Sequence, residues 1–398
     1  MRTSLVLSLG VFAASACGNG GGSSSGDAAV VDIDATVAVD AAVGETWNWN
    51  LPPDIPAPQV PPDNPMTQAK VDLGRHIFYD KRLSGNGTQA CAGCHFQERG
   101  FAEDRVLSLG STGDTVPRNS PGLQNVAYNS TLTWLNPNFF TIESQLPNPI
   151  FGEFPVELGA TGNEELILER FRSDKTYQQL FAAAFPEIAD PYKFDYIVKA
   201  TASFLRSMVS FQSAFDREIY WGDEGALSAE AKRGFELSQS ERFDCFHCHA
   251  GFQFALGTSH VNTAFVERGY FNNGLYNIGG SGDYPPNGQG LFEFTGNFAD
   301  KGKFRAQTFR NIMLTAPYMH DGSVATIDDV IDIYARGGRN VTDGAFIGDG
   351  RDSFLKNEFV HGFEITEVER LELKAFFDSL TDQDFITDPK YSDPWPAE

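Results

Sequence analysis

Positive charge is scarce in this chain, and its shortage excludes one class of partner. The 398 residues include 30 Lys and Arg against 53 Asp and Glu, which gives a formal net charge of −23. Proteins that bind nucleic acid carry a basic surface, so we expect no nucleic-acid partner. Acidity of this degree is explained either by solubility or by a basic redox partner. Beyond the first 17 residues no apolar run approaches the length that spans a bilayer, so we expect no transmembrane segment.

Cysteine is also scarce, and the first of the five lies in an N-terminal leader pattern. Arg2 is followed by the apolar run 5–16, which is too short for a membrane span and typical of an export signal. The "ASAC" ending at Cys17 resembles a bacterial lipobox, although Ala14 stands where Leu is usual. We therefore expect a signal peptide over 1–17, a periplasmic protein, and at Cys17 either a lipid anchor or plain cleavage.

Residues 18–63 lack the pattern of a domain. The stretch is first Gly/Ser-rich, then Ala/Val/Asp-rich, and ends as a Pro-rich segment from about Asn48. Such compositions are typical of flexible and extended chain. We expect a tether and lead-in over 18–63.

The other four cysteines form two C-x-x-C-H motifs, "CAGCH" (91–95) and "CFHCH" (245–249). Two thiols at this spacing can bond the two vinyl groups of one porphyrin, and the next residue then offers its imidazole to the iron. This pattern predicts two covalently bound c-type haems, attached through Cys91, Cys94, Cys245 and Cys248 with His95 and His249 as proximal ligands. The alternatives are a redox-active disulfide and a shared zinc site.

The hydrophobic pattern is mainly helical and shows no alternation of strands and helices. Helices are predicted at 64–80, where Pro65 opens the helix, at 163–174, 176–185 and 227–240, and as one long helix over 195–222. Thr326 is a predicted N-cap, and Thr366 with Glu369 a predicted capping box. The fold class is thus mainly α, with two cytochrome c-like haem domains in tandem, 64–222 and 223–385, joined by long loops.

Axial ligands are the scarcest residues of all, with 7 His and 5 Met in the chain. Between Phe96 and His247 there is no His and only Met208. We infer that the first haem has no strong sixth ligand from its own half, which makes it the site where peroxide can bind. Splitting peroxide needs an acid–base group, and the stretch 143–159 offers Gln145, Glu153 and Glu157.

From about residue 64 to 382 the chain resembles the bacterial di-haem cytochrome c peroxidase/MauG family. The resemblance rests on both haem motifs and on "LGRHIFYDKRLSGNGTQACAGCH", "PRNSPGLQNVAYN", "NPIFGEFPVELG" and "FRAQTFRNIMLTAPYMHDGSVATIDDVIDIY". It implies a calcium ion between the domains, bound by Asn119 and by the backbone of Thr315 and Pro317. It also implies an electron-carrying indole, Trp134, between the haems. A distal acid–base pair, Gln145 and Glu157, is implied beside a pocket proline, Pro149.

Two departures from the peroxidase branch of that family resemble MauG. Ser111 stands where the peroxidases carry a displaceable His, and Tyr334 stands where they carry a Met ligand to the second haem. The resemblance therefore implies Tyr334 as an iron ligand, with Met319 as the alternative. The phrases "NVAYN" and "ERFDCFHCH" look most like MauG-like enzymes associated with methanobactin clusters. Phe243 replaces a surface Trp through which MauG oxidises its substrate.

The sequence thus predicts an exported di-haem oxidoreductase. Its resemblance implies that hydrogen peroxide drives both haems to a high-valent state, which oxidises an aromatic residue, expected to be Trp, of a periplasmic or surface partner protein. The alternative is a peroxidase that reduces hydrogen peroxide with electrons from a small cytochrome or copper protein. A pure electron-transfer cytochrome is a third interpretation.

Overall fold

The structure, a computed structural model, describes residues 47–395. The predicted signal peptide, Cys17 and the first part of the tether lie outside the described residues. Within them the fold is mainly helical, as the hydrophobic pattern predicts. The helices are α1 Gln68–Tyr79, α2 Ile142–Gln145, α3 Pro147–Phe151, α4 Glu164–Arg172, α5 Lys175–Ala184, α6 Phe194–Ser207, α7 Ala214–Ile219, α8 Ala229–Ser238, α9 Phe292–Thr295, α10 Ile327–Ala335, α11 Glu367–Ser379 and α12 Gln383–Thr387.

Strands are few and short in the described part of the chain. β1 (Tyr270–Phe271) pairs antiparallel with β2 (Phe304–Arg305), and β3 (Asn340–Val341) pairs antiparallel with β4 (Gly348–Asp349). Single-residue bridges and 3₁₀ turns organise much of the remaining loop. Long loops therefore connect the helices.

The same helix pair occurs twice, once before each C-x-x-C-H motif. α1 packs on α6 and α8 packs on α11, and these are the two most extensive helix contacts. Each pair meets at a glycine: a Cβ on Gly74 would lie 2.0 Å from the carbonyl oxygen of Ala200, and a Cβ on Gly234 would lie 2.0 Å from that of Glu372. Neither position can carry a side chain without separating the helices. The parallel indicates two copies of one haem-binding frame.

Each frame has its own hydrophobic core. The first is built around α1, α5 and α6, with Leu73, Ile77 and Phe204 fully buried. The second is built around α8, α10 and α11, with Phe376 at its centre. Each motif cysteine, Cys91 or Cys245, packs against the core of its own half. The two motifs therefore occupy separate sites.

The chain beyond α11 returns to the first core, which the linear division at residue 385 does not anticipate. Phe385 and Tyr391 are buried in that core, and Trp395 packs against it. The Arg75 guanidinium donates to the carbonyl oxygens of Pro389 and Lys390 at 3.1 and 3.0 Å. The C-terminal segment thus ties the second half of the chain back to α1.

Residues 47–63, assigned from sequence to the lead-in, pack on the folded body. Trp47 and Trp49 contact the first core, and Ile55 is buried. The Tyr128 hydroxyl donates to the Pro56 carbonyl at 2.8 Å. Aromatic and aliphatic residues among the prolines therefore anchor this segment, so the ordered chain begins before residue 64.

The predicted single helix over 195–222 is wrong, because it breaks after Ser207. Asn125 forms hydrogen bonds with the backbone that would continue the helix. Its N–H donates to Met208 O, its side-chain amide donates to Ser210 O, and its side-chain oxygen accepts from the Ser210 N–H. Ser213 then caps α7 with a capping box. Polar side chains from distant loops thus override the local helical pattern.

The other predicted helix ends differ little from the observed ones. Thr67, not Pro65, caps α1. Thr326 caps α10, and Thr366 with Glu369 forms the predicted capping box of α11. Within residues 47–395, no helix is both long and apolar enough to cross a membrane.

Candidate di-haem site

The first motif forms a tight turn that fixes its histidine. Cys91–Gly93 is a 3₁₀ turn, and the His95 N–H donates to Cys91 O at 3.1 Å. The His95 Nδ1 lies 2.7 Å from the carbonyl oxygen of Phe101. A carbonyl only accepts, so Nδ1 carries the proton and Nε2 keeps the lone pair that a metal needs. Burial lowers the pKa of His95, which favours this neutral form.

The second motif repeats this geometry. The His249 N–H donates to Cys245 O at 2.9 Å, and Nδ1 lies 3.2 Å from Phe254 O. The imidazole stacks on Phe309 with centroids 4.0 Å apart. Burial lowers the pKa of His249 to about 4, so the ring is neutral at pH 7. Both histidines are thus oriented through a backbone carbonyl, the usual arrangement for metal-ligating imidazole.

The four motif thiols are free, and burial keeps them protonated. It raises the pKa of Cys91, Cys245 and Cys248 to about 12 and that of Cys94 to about 11. A zinc site requires thiolates grouped around one ion, and these pairs lie in different cores. The donor set therefore fits two c-type haems and disfavours the zinc and disulfide interpretations.

A cavity of about 220 Å³ opens beside the second motif and is lined mainly by apolar side chains. Cys245, Cys248 and His249 line it together with Tyr334 and Met319. It thus offers two thiols, a neutral imidazole, a phenol and a thioether. This is the donor chemistry that a covalently attached haem with two axial ligands requires.

Tyr334 is positioned by its neighbours in α10 and by Asn273. Burial raises the pKa of Tyr334 to about 12, and a hydrogen bond with Asn273 partly offsets this effect. Asn273 also donates from Nδ2 to the Met319 sulfur at 3.4 Å. The phenol of Tyr334 and the sulfur of Met319 therefore both contact Asn273 and line the same cavity as His249.

Trp134 and the predicted calcium ligands line the same cavity. The Trp134 Nε1–H donates to the carbonyl oxygen of Asn119 at 2.8 Å. The Asn119 side chain in turn donates from Nδ2 to Arg105 O at 3.0 Å, which leaves the amide oxygen as the available donor atom. Thr315 and Pro317 also line this cavity. The three predicted calcium ligands and the indole thus line one cavity, and oxygen donors of this kind suit a hard cation.

Near the first motif lies a half-buried carboxyl group, Glu157. Burial raises the pKa of Glu157 to about 6. The carboxyl group is close enough to Cys91 and Cys94 to raise the pKa of both thiols. The Ser111 N–H donates to the Glu157 carbonyl at 2.7 Å. The resemblance implies that Ser111 stands where the peroxidase branch has a histidine. Ser111 is thus hydrogen-bonded to the backbone of Glu157, the candidate acid–base residue.

Local sequence explains how Glu157 is held. A Cβ on Gly110 would lie 1.8 Å from the Val156 carbonyl oxygen, so only glycine allows the loop before Ser111 to cross here. The Leu158 N–H donates to the Pro149 carbonyl at 3.0 Å, which joins this segment to α3. Pro149 is half-buried. The backbone on both sides of Glu157 is therefore fixed.

The other two candidates of this stretch are placed differently. Glu153 is exposed, in a turn that bridges to Val156. Gln145 ends α2 and is half-buried, and among residues 47–395 no hydrogen bond joins its amide to Glu157. The resemblance implies Glu157 rather than Glu153, and Glu157 is the less exposed of the two and the one near the motif cysteines.

Sequence reasoning missed Glu103, a fully buried carboxyl group just after the first motif. It accepts a hydrogen bond from the Ser108 hydroxyl, which also contacts Ser120 at 2.8 Å. Its Oε1 is buried without a hydrogen-bond partner, and burial raises the pKa of Glu103. The signal was a single Glu inside a loop, which no pattern separates from a solvated residue.

Known proteins are similar to this chain in sequence and in fold. A model of the di-haem cytochrome c peroxidase family matches residues 68–224. The chain is 31% identical to the cytochrome-c peroxidase IdrP1 of Denitromonas iodatirespirans over 387 residues, 89% of this chain and 92% of that protein. The chain belongs to the di-haem cytochrome c peroxidase/MauG family. It is therefore a di-haem oxidoreductase that uses peroxide, and the family carries two c-type haems.

Two further relatives come from the MauG side of the family. The methylamine utilization protein MauG of Methylorubrum extorquens is 28% identical over 376 residues, 94% of this chain and 92% of that protein. The crystal structure of a MauG-like protein associated with microbial copper homeostasis is 47% identical, with a TM-score of 0.86. It covers 88% of this chain and 100% of the other. The tandem cytochrome c-like fold predicted from sequence is confirmed by this similarity.

Proposed function

We propose that this protein uses hydrogen peroxide to oxidise an aromatic residue, a tryptophan, of a partner protein in the periplasm. The observation that carries the proposal is the pairing of Ser111 with Glu157 at the first motif. In this proposal Ser111 occupies the place where a peroxidase would present a displaceable imidazole, and the half-buried carboxyl group of Glu157 lies beside the haem position.

The haem-binding residues follow from the two motifs. Cys91, Cys94 and His95 would hold the first haem, whereas Cys245, Cys248, His249 and Tyr334 would hold the second. When bound, the two haems supply the redox chemistry and hold the two oxidising equivalents of one peroxide. An oxygen donor such as the Tyr334 phenolate stabilises oxidised iron, which suits a store of oxidising equivalents.

Glu157 moves the proton. With a pKa of about 6 it is largely ionised at pH 7, so it accepts a proton from the nearer peroxide oxygen. It would then return that proton to the other peroxide oxygen, which makes that oxygen a better leaving group. We assign Gln145 and Pro149 to the same pocket, because the Leu158 N–H, next to Glu157, donates to the Pro149 carbonyl.

Trp134 and the calcium ligands connect the two sites. We assign Trp134 as the indole that carries electrons between the haems. It lines the cavity beside the second motif, and its N–H donates a hydrogen bond to Asn119 O. Asn119, Thr315 and Pro317 are assigned to the calcium ion. The cation would stiffen the Asn119 loop and thereby hold the indole in place.

The partner is a protein whose oxidised side chain supplies two electrons and two protons, so that one peroxide becomes two waters. The 47% identical neighbour is associated with copper homeostasis, and we place the partner in that process. Phe243 is buried, and its ring centroid lies 4.3 Å from that of Phe363. In this proposal, electrons from the partner therefore do not enter through a surface residue at position 243. The leader pattern of residues 1–17 supports export, with lipid anchoring at Cys17 as part of the proposal.

The second candidate is a peroxidase that takes electrons from a small cytochrome or copper protein. It is favoured by the net charge of −23, which suits a basic electron donor, and by the similarity to IdrP1. Rapid mixing of hydrogen peroxide with the diferric holoprotein separates the two functions. Reaction without prior reduction, followed by oxidation of an added tryptophan peptide seen by mass spectrometry, is expected. A requirement for half-reduction would establish the peroxidase instead.

A further inference from the structure

Beside the second motif lies a cluster of ligand-type side chains that the haem chemistry does not use. His247 stands between the two cysteines of "CFHCH", and Asp244 directly precedes them. The ligand atoms of Glu241, Asp244 and His247 all lie within 4.8 Å of one another. Glu241 is exposed, whereas the other two are largely buried.

Two atoms of this cluster are buried without a hydrogen-bond partner: Asp244 Oδ1 and His247 Nδ1. They lie 3.4 Å apart, and the Asp244 side chain is only 9% exposed. Buried polar atoms normally have hydrogen-bond partners, so these two, which face each other only as a His–Asp ion pair, need an explanation. Ligand atoms bound tetrahedrally at about 2.0–2.1 Å from one ion lie about 3.3–3.4 Å apart. The observed separation fits two ligands of a shared cation.

The surrounding residues hold both groups in place. The His247 ring stacks on Phe359, with centroids 3.7 Å apart and planes within 8°, and it also contacts Phe246. The second carboxylate oxygen of Asp244 lies 2.9 Å from His361 Nε2, and His361 Nδ1 lies 2.6 Å from a backbone carbonyl. His361 therefore orients the carboxylate, as outer partners of metal ligands do.

The attached haem does not account for these two atoms. Cys245 and Cys248 bond the vinyl edge of the porphyrin, and the propionates lie on the opposite edge. Residues within the C-x-x-C-H turn are therefore remote from the only strongly polar groups of the haem. Asp244 also holds a left-handed backbone conformation, with φ of 52°, that is uncommon for a residue with a side chain.

We propose that Asp244, His247 and Glu241 bind a divalent transition-metal ion of the Zn²⁺ or Cu²⁺ class. One imidazole and two carboxylates suit such ions. Because Glu241 is exposed, the remaining coordination positions face solvent. The site is independent of the peroxide chemistry, so failure of either proposal leaves the other standing.

Metal binding to the chelator-treated holoprotein tests this site. Cu²⁺ added at one equivalent is expected to give an EPR signal with nitrogen splitting from one imidazole, and equilibrium dialysis is expected to show one tightly bound Zn²⁺. His247→Gln should abolish both signals, while His361→Gln should weaken binding by about 10–100-fold. Haem absorbance serves to show that each variant is folded and loaded.

His260→Gln is the matched control, since His260 is half-buried and lies outside the cluster. It is expected to bind both metals like the parent protein. Asp244→Asn provides a second variant, expected to lose binding if its haem content is normal. Equal metal binding by the parent, His247→Gln and Asp244→Asn proteins would overturn the proposal, and so would no binding by the parent.

Discussion

The two halves of this molecule share a frame and differ in what faces each haem position. In both, a helix pair crossing at a glycine leads into a C-x-x-C-H turn whose histidine is oriented by a backbone carbonyl. Beside the first motif lies the carboxyl group of Glu157, and across the cavity of the second lies the phenol of Tyr334. In the proposed function, Glu157 is the proton-transfer group and Tyr334 is an iron ligand.

The difference teaches that attachment and reactivity are separate properties of such a domain. The features that attach a haem are local and occur in both halves. The features proposed to decide reactivity come from segments that are distant in sequence. The stretch around Glu157 lies near the first motif, and α10 carries Tyr334 to the cavity beside the second. A repeated frame can thus hold one reactive and one storing centre.

The largest effect is expected from Glu157→Gln, which removes the proton-transfer group from the first site. The rate of reaction of the diferric holoprotein with peroxide should fall by about 10²–10⁴-fold. Burial raises the pKa of Glu157 to about 6, so the parent rate should rise with pH up to about 6 and then level, because only the ionised form accepts a proton. Stopped-flow absorbance across pH measures both effects.

Glu153→Gln is the control for that variant, since Glu153 lies on the same loop but is exposed. It should keep the parent rate and its pH profile. A Glu157→Gln protein that retains the rise in rate near pH 6 would show that another group transfers the proton.

Tyr334→Phe should change the second site alone. Loss of an oxygen donor destabilises ferric iron, so the reduction potential of the second haem should rise by on the order of 100 mV, within the range of about 0.8 V that axial ligands span. Optical redox titration measures it. Tyr318→Phe, which alters another phenol lining the cavity, should leave both potentials unchanged. A potential unaffected by Tyr334→Phe would favour Met319 as the ligand.

Trp134→Phe should weaken the connection between the halves. The parent indole donates to Asn119 O at 2.8 Å, and Trp221 donates to Phe211 O at the same distance. Either substitution by Phe should therefore lower the free energy of unfolding by about 1 kcal/mol. Only Trp134→Phe should also slow oxidation of the partner after peroxide addition, measured by mixing experiments. Equal oxidation rates in the two variants would contradict this role.

The smallest difference between the halves is expected where they are alike. Gly74→Ala and Gly234→Ala each place a Cβ 2.0 Å from a carbonyl oxygen of the facing helix. Each should lower the free energy of unfolding by about 1–3 kcal/mol, seen in thermal unfolding. Markedly different losses would show that the two helix pairs are not equivalent.

The contrast between local and distant features explains which parts of the structure the sequence predicts. The two motifs, the helix caps at Thr326 and Thr366 and the mainly helical class depend on neighbouring residues, so spacing alone predicts them. The break of the long helix at Met208 depends on Asn125, and the position of Glu157 near the first motif depends on segments that are distant in sequence. No local sequence pattern carries that information. For the same reason the sequence predicts neither the burial of Glu103 nor the two facing atoms of Asp244 and His247 that lack hydrogen-bond partners.

The difference between the two haem positions is tested most directly by the EPR spectrum of the resting diferric holoprotein. We expect two ferric signals of equal intensity, one high-spin from the first site and one low-spin from the second. Tyr334→Phe should alter only the low-spin signal. Two low-spin signals, each from an iron with two protein ligands, would contradict an open first site and with it the proposed reaction.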